Sequence, residues 1–209
     1  MRGRLIALEG IDGCGKSTQA KLLFESIGEA DALLTSEPGA TSLGARLRRL
    51  LLDPEMPEVC EHAEALLLAA DRAEHVFEVI SPALARGLWV VSDRYSGSTY
   101  AYQGYGRGLD IDGLRRIITF ATGGLEADVN VLVEVPVATA RARLEKSAAD
   151  RLERLDESFH ERVRNGYLAM AAQDPRWAVV DGTRAVQEVS EQISSAVTAR
   201  LGPLRAGAR

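Results

Sequence analysis

A glycine-rich run near the N-terminus limits what this chain can fold into more than any other feature. Gly10-Ile11-Asp12-Gly13-Cys14-Gly15-Lys16-Ser17 matches the phosphate-loop pattern G-x-x-x-x-G-K-[ST], and Thr18 follows it. The context is the one the pattern needs, because the apolar Leu5–Leu8 before it reads as a strand and Gln19–Phe24 after it as a helix. Glycines let the backbone turn its N–H groups inward around an anion, and the helix behind them presents its positive end to the same point. Lys16 is then placed to reach a transferable phosphate and the Ser17 hydroxyl to ligate magnesium. The competing reading, a chance glycine-rich turn, leaves the strand-loop-helix order without a reason. The motif is silent on the acceptor.

Further apolar runs at Leu88–Ser92, Val129–Val135 and Trp177–Val180 read as buried strands, each followed by a helical stretch. A weaker strand, Ala32–Ser36, precedes the turn signal Glu37-Pro38-Gly39. Strands alternating with helices predict an α/β fold, a parallel five-stranded sheet with helices on both faces, and the 209 residues fit one domain spanning 1–209. After the third strand comes Ser92-Asp93-Arg94-Tyr95, which puts an acid at a strand's carboxyl end, where ligands bind in open α/β sheets; Asp93 is a candidate for the magnesium shell, against the plainer reading of a solvated turn aspartate.

The longest helical pattern runs from about Glu61 to Leu84, with Ala65, Leu68, Ala69, Arg72, Val76, Val79 and Ile80 on a face expected to pack on the sheet. Residues of about 145–157 are dense in charge and poor in large apolar side chains, the signature of a short mobile lid. The tail 202–209 offers little to bury and is expected to fray.

A formal net charge of -5 gives no global attraction to nucleic acid or acidic lipid, so an anionic ligand has to be held by a local cluster of Arg and Lys. Cys14 and Cys60 have neither disulfide-framework nor metal-ligand spacing, and a reducing cytoplasm is the expected setting. No signal-like or bilayer-length apolar segment stands in the sequence, which predicts no membrane association.

Gly10–Thr18, Glu37-Pro38-Gly39, Ala69-Ala70-Asp71-Arg72, Asp93-Arg94-Tyr95 with Ser98-Thr99, Ala101-Tyr102-Gln103-Gly104 and Asp150-Arg151-Leu152-Glu153 together resemble the bacterial thymidylate kinases, in family order across nearly the whole chain. The resemblance implies a P-loop nucleoside monophosphate kinase fold, transfer of a phosphate from ATP to dTMP with Mg2+, and a homodimer formed through helices. On this resemblance Gly10, Ile11, Asp12, Gly13, Cys14, Gly15, Lys16, Ser17 and Thr18 hold ATP, and Ser17 and Asp93 hold the metal. Asp12 matches the acid near the acceptor's 3′-hydroxyl, and Arg94 the arginine that grips its phosphate. Arg72 matches the base-reading arginine, Thr99 the polar contact to the thymine edge, and Tyr102 the ring that crowds the 2′ position. Glu37, Pro38, Arg48, Leu68, Ser98 and Gln103 complete the implied pocket. Plainer readings stand beside these: Arg48 as part of an exposed helical face, Arg72 as a surface ion-pair residue, and the tyrosines as packing or rim aromatics.

The chain departs from the family pattern in several places. Leu68 stands where a phenylalanine usually stacks on thymine, so the ring face is covered without aromatic stacking. Gly13 stands where one branch of the family carries an arginine; the other branch supplies it from the lid, where Lys146 matches best and Arg143, Arg151 and Arg154 are alternatives. The expectation is that Lys146 or Arg151 swings in on closure as a catalytic cation beside Lys16 and Arg94. Ala40 replaces a glycine and stiffens its turn, and Glu134 receives no role. A kinase for another monophosphate such as dUMP, or a nucleotide-gated switch protein, are the rival readings; a switch has no need of the second basic cluster, Arg48, Arg72 and Arg94.

Overall fold

Side chains of the first strand alternate between two separate cores, which places it at the centre of a two-faced sheet. In β1, Leu5–Glu9, every residue is fully buried, but Ile6 and Leu8 pack into one hydrophobic cluster while Leu5 and Ala7 pack into another. A computed structural model describes residues 2–53, 55, 59–144 and 155–204. The remaining strands are β2 (Ala32–Ser36), β3 (Trp89–Asp93), β4 (Val129–Glu134) and β5 (Trp177–Asp181), and the sheet runs β2-β3-β1-β4-β5 with all pairings parallel. Each expected strand is present, with its end moved by a residue at most except at β2, where the bounds coincide.

The helices are α1 (Lys16–Ile27), α2 (Ser42–Leu52), α3 (Glu61–His75), α4 (Ser81–Ala85), α5 (Ser96–Thr99), α6 (Ile111–Thr122), α7 (Val137–Leu144), α8 (Glu157–Gln173) and α9 (Val186–Leu201). Thr41, Asp110 and Asp156 cap α2, α6 and α8, each accepting from a backbone N–H three residues on. The α1 helix and α9 pack against the cluster built on Ile6 and Leu8, through Ala20, Leu23, Ile27, Val189, Ile193 and Val197. Leu204 packs at the edge of that cluster, and residues 205–209 of the expected fraying tail lie outside the described residues.

The long helical pattern differs from expectation in one respect. A π-helical segment, Val76–Ile80, joins α3 to α4, and Pro82 is the second residue of α4; proline has no N–H to donate, and its ring crowds the carbonyl four residues back. The part from Val76 to Leu84 supplies the apolar packing on the sheet, against Leu5, Ala7 and Val90. The preceding α3 lies on α2 and α6 instead, so Leu68 and Arg72 face a cleft and not the sheet. A second π-helical segment, Tyr100–Gly106, continues α5 and packs closely on α8.

That packing depends on small residues: a Cβ on Gly166 would lie 2.5 Å from Tyr105 Cγ, and one on Gly106 would lie 2.7 Å from Phe159 Cε2. Gly166→Ala is therefore expected to push Tyr105 off its seat and lower stability by about 1–3 kcal/mol, the usual cost of overpacking, measured as a fall in the urea midpoint. An unchanged midpoint would show that α8 and the π segment separate at no cost.

Candidate active site

The chain leaves β1 for β2 and β3 on one side and reaches β4 on the other, so a crevice opens at the carboxyl ends of the central strands. The phosphate loop leaves β1 there, and Asp93-Arg94 ends β3 beside it. Within the loop, Gly13 has φ +81° and an added Cβ would lie 2.3 Å from the Ala140 carbonyl oxygen. Glycine is thus required at this position in this conformation, which gives a physical reason for the departure noted in the sequence.

Lys16 is buried and folds back on its own loop, donating to the Ile11 carbonyl (3.4 Å) and to Asp12 Oδ1 (3.2 Å). The Ser17 hydroxyl donates to Asp93 Oδ2, while Asp93 Oδ1 is buried without a hydrogen-bond partner. Cys14 is buried, and that burial pushes its thiol up, which leaves it a neutral packing group. Arg143, an alternative for a lid cation, instead ties the loop to the end of β5, donating to the Cys14 (3.3 Å) and Gly182 (3.0 Å) carbonyls. Lys146, Arg151 and Arg154 lie outside the described residues.

Beside the loop is a cavity that opens to solvent. It brings together Asp12, Glu37, Pro38, Arg48, Leu68, Arg72, Arg94, Ser98, Thr99, Tyr102 and Gln103, all from the sequence reading, with Leu51, Leu52, Glu64 and Asp71, which that reading missed. Arg48 is exposed and donates to the Pro38 carbonyl (2.9 Å).

Arg94 stands at the junction. It holds a left-handed backbone with φ 73°, unlike every other described non-glycine residue. Its guanidinium pairs with Asp12, donates to Ser98 Oγ (2.9 Å) and Tyr102 Oη (3.2 Å), and lies 5.0 Å from the Tyr102 ring centroid. Tyr102 in turn donates to Asp12 Oδ2 at 2.7 Å. Burial alone would push Asp12 up, but Arg94 and then Lys16 hold its carboxyl well below the usual carboxylate range. Asp12 is therefore an anion and a poor proton acceptor.

Arg72 is only 2% exposed, which overturns its reading as a surface ion-pair residue. Its Nε donates to Glu37 Oε2 (2.8 Å), and its terminal nitrogens to Thr99 Oγ1 (3.0 Å) and the Tyr95 carbonyl (2.9 Å). Gln103 donates to the buried Glu64 at 2.9 Å, and Arg107 pairs with the same carboxylate. Glu64, Leu68, Arg72 and His75 are spaced to share one face of α3, and that mixed stripe, set among the buried alanines, was the signal available for Glu64 and His75.

Glu9, which also had no assigned role, is fully buried below Arg94. Its Oε1 accepts from the Tyr95 (3.0 Å) and Ser98 (3.2 Å) backbone N–H groups, and its Oε2 from Ser98 Oγ (2.6 Å) and Tyr167 Oη (3.2 Å). Burial raises its carboxyl above the ordinary value, against those donors and the nearby Arg94. Glu134, set aside in the sequence, pairs with Arg164 on α8.

The family model for thymidylate kinase matches residues 8–193. The thymidylate kinase of Carboxydothermus hydrogenoformans is 47% identical over 196 residues, covering 92% of this chain and 96% of that protein. That of Desulforudis audaxviator is 46% identical over 205 residues, covering 96% and 93%. A crystal structure of thymidylate kinase from Ehrlichia chaffeensis superposes with a TM-score of 0.78 at 29% identity, covering 94% of this chain and 99% of that one.

One acid at the cleft carries a pH consequence. Burial, and then the charge of Glu37, pushes Asp71 up to about 6 from an ordinary 3.8, although it accepts from the Gly39 N–H at 2.9 Å. A carboxyl raised on folding leaves stability untouched below its ordinary value and lowers it as pH climbs through the raised value. Asp71→Asn keeps the acceptor and removes the charge. It is expected to stabilise the protein by on the order of 1 kcal/mol near pH 8 and by almost nothing near pH 4, measured by thermal melting at both. An equal effect at the two pH values would refute the assignment.

Proposed function

The chain belongs to the thymidylate kinase family and phosphorylates dTMP to dTDP, and we propose that ATP is the donor, that Mg2+ accompanies it, and that the transfer takes place in the cleft between the phosphate loop and α3. The observation that carries this reading is the continuity of two cavities. The one lined by Lys16, Ser17 and Asp93 shares Asp12, Glu37, Pro38, Arg48 and Arg94 with the one lined by Leu68, Arg72, Thr99 and Gln103. A donor triphosphate on the loop and a monophosphate in the second cavity would therefore meet at Asp12 and Arg94.

The residues present fit the metal. Buried Asp93 Oδ1 lacks a partner and the Ser17 hydroxyl lies against the same carboxylate, so the two would hold Mg2+. Among the described residues no three His, Cys, Asp or Glu side chains gather into a cage, which suits a cation that takes one or two protein ligands and the rest from phosphate and water. When bound, it neutralises charge on the phosphates.

On the protein side, the loop N–H groups and Lys16 cradle the donor, Lys16 exchanging its contacts to Ile11 and Asp12 for phosphate oxygen. Arg94 grips the acceptor phosphate, with Arg48 at the rim. Leu68 covers one face of the base while Arg72, Thr99 and Gln103 meet its polar edge, Ser98 supports Arg94, and Tyr102 crowds the sugar. The acceptor oxygen attacks the γ-phosphorus, the bond to the β-phosphate oxygen breaks, and ADP departs. Lys146 and Arg151, outside the described residues, are proposed as the cations that close over the transfer.

Family membership removes the switch-protein reading, and substrate profiling separates dTMP from dUMP. Adding ATP and Mg2+ in a coupled ADP assay is expected to give strong turnover with dTMP and little with dUMP, dCMP, dGMP or UMP. Lys16→Ala should lower kcat by about 100-fold or more, with smaller losses for Lys146→Ala and Arg151→Ala. Equal ADP formation without acceptor would overturn the acceptor assignments.

A homodimer is also proposed. Leu66, Phe77 and Phe120 are 55%, 77% and 90% exposed on α3, its π continuation and α6, and α3 and α6 pack side by side. Sedimentation is expected to show a dimer that Phe77→Asp with Phe120→Asp converts to monomer; a wild-type monomer would refute it. Free Cys14 and Cys60 fit a reducing, cytoplasmic setting, and no described helix is long and apolar enough to cross a membrane.

A further inference from the structure

We infer that His75, which touches neither cavity, is a positioning residue that sets Arg72 for the acceptor by fixing Glu37; the inference rests on the thymidylate kinase reading of the site. His75 is fully buried at the end of α3, where the helix passes into its π-helical segment. Its Nδ1 lies 2.8 Å from Glu37 Oε1 and its Nε2 lies 2.7 Å from Thr35 Oγ1 on β2. The other oxygen of Glu37 takes the Arg72 Nε–H at 2.8 Å. A line of contacts therefore runs from Thr35 through His75 and Glu37 to Arg72, and ends on Thr99 and the Tyr95 carbonyl.

The last torsion of a glutamate is soft and nearly two-fold, so a carboxylate held at one oxygen alone can turn. A second hydrogen bond at the other oxygen fixes its plane, and that plane fixes the direction in which the Arg72 Nε–H must point. Arg72 uses three of its five N–H donors on Glu37, Thr99 and Tyr95, so its guanidinium is held in the cavity wall with two donors uncommitted. An acceptor base meets a donor whose orientation has been set before it arrives, and little ordering is left for binding. A carboxylate only accepts, so Nδ1 is the nitrogen that donates to Glu37, and the Thr35 hydroxyl, which can donate or accept, partners Nε2.

Two conservative variants separate positioning from packing. Asparagine places its amide N–H near the position of Nδ1 and keeps the Glu37 contact; glutamine reaches the position of Nε2 and keeps the Thr35 contact. His75→Gln is expected to raise KM for dTMP by about tenfold, with kcat and KM for ATP within about twofold of wild type, whereas His75→Asn keeps KM for dTMP within about threefold. Equal KM values in the two variants, raised or not, overturn the inference, as does a loss confined to kcat. If either variant does not fold, nitrogen-15 spectra of the wild-type histidines decide: an Nδ1–H or doubly protonated ring at His75 supports the relay, and a ring protonated at Nε2 alone overturns it. Failure of the wild-type protein to form ADP on dTMP would overturn the functional reading instead, so the two failures are distinct.

Discussion

Arg94 carries a side chain in a backbone conformation that disfavours one, and the cleft is organised around holding it there. A left-handed non-glycine residue costs about 1–3 kcal/mol and persists where its surroundings over-determine it. Its N–H donates to the Leu8 carbonyl (2.9 Å), its carbonyl accepts from Ser92 Oγ (2.7 Å), and its guanidinium meets Asp12, Ser98 and Tyr102. Glu9 fixes the next turn from below, accepting from the Tyr95 and Ser98 N–H groups. The twist at residue 94 sends the chain from β3 back over the end of β1, so α5 and its π extension arrive beside the phosphate loop carrying Ser98, Thr99, Tyr102 and Gln103. Were Arg94 to relax, those side chains and the guanidinium would leave the cavity together.

The same pairing of charges recurs around the cavity beside the loop. Arg72 with Glu37, Arg107 with Glu64, and Arg94 with Asp12 are each a cation set against an acid that is buried or partly buried. Such pairs add little net stability, because desolvation offsets most of the attraction, but removing one partner strands the other at a cost of about 3–5 kcal/mol. They therefore act as fixed directions within the pocket wall more than as sources of stability. A nucleotide that offers matching donors and acceptors finds them oriented, and one that does not leaves buried polar groups unpaired.

What could be read from the sequence follows the range of the interactions involved. The phosphate loop, the strands and Asp93 were legible because each is a local pattern: a fixed spacing of glycines, a run of apolar residues, an acid at a strand end. The pocket residues Arg72, Thr99 and Tyr102 were reached through resemblance, since nothing local distinguishes Arg72 from a surface arginine. Glu9, Glu64, His75 and Tyr167 were missed because their meaning lies in partners far away in sequence. Glu9 reaches Ser98 and Tyr167, and Glu64 reaches Gln103 and Arg107. The expectation that all of 61–84 would pack on the sheet failed for a related reason: the π-helical turn at Val76–Ile80 re-aims the helix face, and apolar spacing alone does not report it.

The lowered pKa of Asp12 bears on how such a cleft can work. A nucleophilic hydroxyl would need a base, and Asp12, held low by Arg94 and Lys16, is unsuited to that task. An acceptor phosphate needs none, because its second ionisation lies near pH 6 and its oxygens are already anionic at neutral pH. The obstacle is then repulsion between two polyanions, and the cleft of a chain whose net charge is -5 meets it locally, with Lys16, Arg48 and Arg94 facing the shared space. Asp12 pairs with both Lys16 and Arg94, so the burial of those two cations is compensated within the protein itself.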